Sequence, residues 1–122
     1  MKRDLDLIRH ILLKVEESPD FYISLSSLIE ESQYNLNDAD YNTMLLSEAG
    51  FLKLAGFSPR KDNVHDWLII RMTNKGHDYL DAVRSPSVWR DTKERIQEKA
   101  IGLTLEGVMS VAVAVAKGYL GL

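Results

Sequence analysis

Catalysis and metal binding need side chains that exchange protons, coordinate ions or attack a substrate, and this chain has few of them in workable arrangements. His10, His65 and His77 lie far apart and show no ligand-like spacing with carboxylates, so no metal site is expected. There is no cysteine, which removes disulfides, thiolate metal sites and cysteine nucleophiles. Glu16-Glu17 and Glu30-Glu31 fall at helix ends or on polar faces and read as solvated residues rather than a catalytic dyad. No nucleophile elbow, phosphate loop or zinc signature is present, so neither an enzyme nor a cofactor is expected. The chemistry left is recognition: Arg60 and Lys61 are adjacent cations in a polar stretch, and Asn42, Thr43 and Ser47 offer short hydrogen-bonding groups at helical spacing.

These residues need a scaffold, and the chain is long enough to build one. With 122 residues, 45% of them hydrophobic and 27% charged, it has the composition of an ordinary soluble domain. A chain of this length buries roughly two-thirds of its unfolded surface without needing a disulfide or metal. Charges at Lys2, Arg3, Asp4 and Asp6 interrupt any apolar leader, which makes the cytoplasm the expected location. The most apolar stretch, Val108 to Ala116, is far shorter than the ~20 residues that cross a bilayer, so no membrane partner is expected.

Hydrophobic spacing predicts a mainly α-helical chain with a small β-hairpin. Leu5, Ile8, Ile11, Leu12 and Val15 recur at three- and four-residue steps, giving an amphipathic first helix that ends before Ser18-Pro19. Phe21 to Leu25 suits a short strand, followed by a brief helix over about 26–32. Asn37 is a candidate cap for a third helix, with Asp40 completing a capping box, Tyr41, Leu45 and Ala49 on the core side, and Gly50 ending it. Asn42, Thr43 and Ser47 then face solvent.

The apolar runs Phe51 to Phe57 and Trp67 to Met72 flank a polar tip and predict an antiparallel hairpin, with Leu68, Ile70 and Met72 sharing one face. Thr73 caps a fourth helix carrying Tyr79, Leu80 and Val83. Gly76 inside that helix implies close packing against a neighbouring backbone. Pro86 opens a charged fifth helix in which Asp91 can pair with Arg95, and Thr104 caps a sixth.

Helix, strand, helix, helix and hairpin is the order of a winged-helix domain, a variant of the helix-turn-helix. The stretch from Tyr41 to Leu52 resembles the third helix and first wing strand of bacterial winged-helix regulators, and Arg71 to Leu80 is similar to the strand-Thr-x-x-Gly junction after their wing. The opening Met-Lys-Arg-Asp-Leu-Asp-Leu-Ile-Arg, with Ser87-Val88-Trp89 and Gly102-Leu103-Thr104-Leu105-Glu106, resembles a family of uncharacterised proteins found mostly in phages and prophages. That resemblance implies a winged helix-turn-helix over 1–84 with a C-terminal helical extension over 85–122, a phage or prophage origin and a role in transcription regulation.

Double-stranded DNA is therefore the first expected partner, and charge narrows where it could touch. The net charge is −3, and between Asn35 and Phe57 the residues Asp38, Asp40 and Glu48 oppose Lys53 alone. From Ser58 to Gly76 the balance reverses, because Arg60, Lys61, Arg71 and Lys75 outnumber Asp62 and Asp66. Phosphate contacts are expected from Arg60 and Lys61, and contacts to base edges or nearby backbone from Asn42, Thr43 and Ser47. The acidic N-terminal half keeps a second expectation open, a protein-interaction module such as a viral factor engaging a host protein. A homodimer is also expected, because Leu105, Val108, Met109, Val111, Ala112, Val115 and Ala116 offer more apolar surface than one small domain needs.

Overall fold

The computed structural model describes residues 1–58, 66–99 and 103–121. These residues form a mainly helical structure with one small antiparallel sheet, divided into two compact units, Met1–His77 and Asp78–Leu122.

The first unit opens with α1 (Leu5–Glu17), whose Asp4 cap accepts the Leu7 amide and whose Leu7, Ile8, Ile11, Leu12 and Val15 are buried. A two-residue strand, β1 (Ile23–Ser24), leads directly into the single-turn α2 (Leu25–Leu28), both shorter than their sequence signals suggested. Helix α3 (Leu36–Glu48) starts earlier than expected, because Asn35 rather than Asn37 accepts the Asp38 amide. Strands β2 (Leu52–Ser58) and β3 (Asp66–Met72) form the hairpin. The sheet order is β1-β3-β2, so β3 lies between two antiparallel neighbours.

The hairpin's inner face differs from strict alternation. Ile69 and Met72 are the buried residues of β3, whereas Leu68, Ile70 and Met72 were expected to share that face. Register shifts between Lys53 and Leu54 and between Leu54 and Gly56 leave one extra residue on each strand, Ile70 of β3 and Ala55 of β2, which changes which side chain turns inward. Helices α1, α2 and α3 pack with one another and against this sheet, giving the unit a single core.

Helix α4 (Asn74–Val83) crosses the boundary between the units. In the second unit Tyr79, Leu80 and Val83 are fully buried, and α5 (Pro86–Lys99) packs with α6 (Leu105–Tyr119). The Tyr119 hydroxyl donates to the Asp91 carboxylate and lies 3.2 Å from the Ser87 carbonyl, tying the two helices together. Asp91 also accepts from Arg90 Nε at 3.2 Å and makes no bond to Arg95, its expected four-residue partner. Among the described residues no helix is long and apolar enough to cross a membrane.

Candidate nucleic-acid interface

The hairpin is held from both sides by side chains at the start of β3. Asp66 accepts the Ser26 amide at 2.9 Å and the Ser26 hydroxyl at 2.8 Å, so its charge is engaged by α2. Trp67 Nε1 donates to Asp40 Oδ1 of α3 at 2.5 Å, and the Trp67 ring meets Phe57 edge-on at 5.1 Å between centroids. Two of the carboxylates that oppose nucleic acid on a simple count are therefore committed to internal partners.

The other end of the hairpin carries two exposed cations. Lys53 of β2 and Arg71 of β3 are direct cross-strand partners, and both are exposed. Like charges placed opposite one another weaken a sheet. Arg71 Nη1 donates to the Met72 carbonyl at 3.1 Å, and neither cation has an ion-pair partner among the described residues. Next to them Thr73 joins β3 to α4: its amide donates to Phe51 O at 3.0 Å, its hydroxyl donates to Gly50 O at 2.6 Å, and it accepts the Gly76 amide at 3.1 Å. A Cβ on Gly76 would sit 2.4 Å from Phe51 O and 2.6 Å from Met72 Cγ, so the helix approaches the sheet where only glycine fits, as its position suggested. Lys75 lies over the Phe51 ring at 5.7 Å.

Helix α3 offers a different surface from the one expected. Asn42 and Thr43 are 1% and 0% exposed, so neither faces solvent. Asn42 holds the N-terminal segment: its Oδ1 accepts the Asp4 amide at 2.8 Å, while Nδ2 donates to Asp38 O at 3.0 Å and Lys2 O at 3.4 Å. Hydrogen bonding makes a buried amide tolerable, and apolar spacing alone does not reveal it. Thr43 Oγ1 is buried without a hydrogen-bond partner. Tyr41 and Leu45, expected in the core, are only half-buried, and Ser47 is half-exposed. The outward face consists of Asn37, Asp38, Met44 and Glu48 beside Tyr41, and α3 contains no Lys, Arg or His. Arg60 and Lys61, together with His65, lie outside the described residues.

Helix α6 also turns most of its expected interface inward. Leu105, Val108, Ala112 and Val115 are buried within the chain itself, and surface covered once is not available to a partner. Met109, Val111 and Ala116 are half-buried, while Val113 and Ala114 are exposed although they were not singled out from the sequence. His10 Nε2 lies 3.1 Å from Leu28 O, with its ring against Tyr34, and His77 Nδ1 lies 4.0 Å from Glu16 Oε2. Among the described residues no group of three acidic or histidine side chains is placed to hold a metal ion.

A family model described as "Hypothetical protein (DUF2513)" matches residues 2–102. The chain is also 33% identical over 115 residues to an uncharacterized protein of Haemophilus influenzae, a match that covers 92% of each chain. No solved structure matches it.

Proposed function

We propose that this chain, which belongs to the DUF2513 family of hypothetical proteins, is a non-enzymatic winged-helix protein that binds double-stranded DNA mainly through its hairpin. The element order α1-β1-α2-α3-β2-β3 and the antiparallel β1-β3-β2 sheet support the winged-helix reading. The observation that carries the DNA reading is the exposed cross-strand pair Lys53 and Arg71, which costs the sheet some stability and gains an anion-neutralising surface. Arg60 and Lys61, the phosphate contacts expected from the sequence, stay part of the proposal on their charge alone. With Asn42 and Thr43 buried, base reading by α3 reduces to Ser47 and the exposed face around Asn37, so sequence discrimination is weak and phosphate contact dominates. Transcription regulation in a phage or prophage setting belongs to this proposal through the resemblance in sequence.

A salt series with random duplex DNA tests the reading. Each phosphate contact contributes about 0.9 to the slope of log affinity against log salt, so Lys53→Ala with Arg71→Ala should lower the slope by about 1.8. An unchanged slope and affinity removes the hairpin base from the interface.

The acidic and apolar outer face of α3, built from Asp38, Tyr41, Met44 and Glu48, favours a second reading: a module that engages a basic surface on a host protein. Failure to bind duplex at low salt selects it. In either role a homodimer through α6 would rest on the surface left open around Val111, Val113 and Ala114, and sedimentation of Val113→Asp beside the parent tests this: a monomeric parent refutes it.

A further inference from the structure

An open groove of about 420 Å³ lies in the first unit where the end of α1, the approach to β1, the end of β3 and the start of α4 meet. Its chemically active lining is Glu16, Ser18, Asp20, Phe21, Arg71 and His77. Arg71 is the residue paired across the strands with Lys53, so the groove continues from the cationic edge of the hairpin. Phe21 is 66% exposed, and the next residue, Tyr22, is 63% exposed. Tyr22 also has φ of 59°, a left-handed conformation that is costly for an aromatic residue. Two consecutive exposed aromatic side chains, one of them lining a groove with a cation and two carboxylates, are not explained by packing.

The lining restricts the ligand. A flat π-system is needed to use Phe21, an anion to use Arg71, and a hydrogen-bond donor to meet Asp20, which accepts only, while Glu16 already faces His77. An acidic peptide would be repelled by the carboxylates, and a bare phosphate would leave the aromatic idle. An unpaired nucleotide satisfies all three: its base stacks on Phe21, its exocyclic amine reaches a carboxylate, and its phosphate meets Arg71. A paired base cannot do this, because its faces are stacked inside the duplex and its donor edge is used in pairing. We infer that the groove receives an unpaired nucleotide next to the duplex held by the hairpin, so that the protein prefers duplex ends or junctions carrying a single-stranded overhang. This rests on the duplex-binding reading, because Arg71 serves both.

Fluorescence anisotropy of the full chain with three probes tests it: a blunt duplex, the same duplex with a single-stranded adenine overhang, and the overhang strand alone. The overhang duplex should bind about tenfold more tightly than the blunt one, as expected for one stacked base. Phe21→Ala should abolish that preference and leave blunt-duplex affinity unchanged; the side chain is exposed, so the fold is retained, which circular dichroism checks. Equal affinity of the parent for blunt and overhang duplex overturns the groove while leaving the hairpin reading standing. A preference that survives Phe21→Ala also overturns it, since the nucleotide then binds elsewhere. Binding of the single strand without the blunt duplex supports the groove and overturns the duplex reading, and binding of no probe overturns both.

Discussion

Replacing Gly76 by alanine tests the junction that sets Arg71 and the first turn of α4 beside the hairpin. In an open helix interior this change stabilises by about 1 kcal/mol through helix propensity. Here the added methyl group would lie 2.4 Å from Phe51 O, a backbone atom, and 2.6 Å from Met72 Cγ. Relief requires the helix to move away from the sheet, an overpacking cost of about 3 kcal/mol at the upper end of its usual range because backbone rather than a flexible side-chain tip must give way. Phe51 O also accepts the Thr73 amide at 3.0 Å, and losing that bond adds about 1 kcal/mol. The net expectation is a loss of about 3 kcal/mol. In urea denaturation followed by far-UV circular dichroism, a slope of roughly 1–3 kcal/mol per molar turns this into a midpoint about 1–3 M lower. An alanine variant as stable as the parent, or more stable, would mean that propensity outweighs the contact and that the close approach is not there.

Three further outcomes follow from buried or shifted groups. Asn42→Ala should destabilise the protein by about 2 kcal/mol in the same urea assay, because the Asp4 amide and the Lys2 and Asp38 carbonyls lose their partner, while DNA affinity per folded molecule stays unchanged; lower affinity in a fully folded variant would restore Asn42 as a contact residue. Thr43→Val should be neutral or stabilising by up to about 1 kcal/mol, since it removes a buried hydroxyl without a partner at nearly constant shape, and a clear loss would reveal a bond to that oxygen. Burial, reinforced by the negative charges of Asp4 and Asp6, raises the Tyr34 phenol above its ordinary value. The unfolded chain then releases this proton at lower pH than the folded one, so the contribution of Tyr34 is intact below pH about 10 and is lost as pH rises through the higher folded value. Stability should therefore fall more steeply above that pH in the parent than in Tyr34→Phe, and identical alkaline profiles would refute the shift.

Local patterning made several elements legible. The periodicity of Ile8, Ile11, Leu12 and Val15 marked α1, the Ser18-Pro19 stop marked its end, and the two apolar runs around a polar tip marked the hairpin. Thr73 and Thr104 were readable as caps, because a hydroxyl before a helical run satisfies free amides whatever the tertiary context. The face of α3 was not readable in the same way. Periodicity sorts residues by polarity, and α3 buries Asn42 through hydrogen bonds to residues about forty positions away while leaving Tyr41 half-exposed.

The candidate site divides along the same line. The sequence by itself determined the inventory: no cysteine, few groups suited to catalysis, an acidic α3 and positive residues gathered around the hairpin. Which of those charges are available was decided by the tertiary structure, because availability depends on neighbours distant in the chain. Asp66 and Asp40 are taken up by Ser26 and Trp67, Lys53 and Arg71 meet through strand pairing, and Phe21 comes to line a groove with Arg71, fifty residues further along. Hydrogen bonds and ladder register act between segments that local spacing cannot connect, so the fold sets Lys53 beside Arg71 on the hairpin and commits two of the carboxylates that a simple count sets against it.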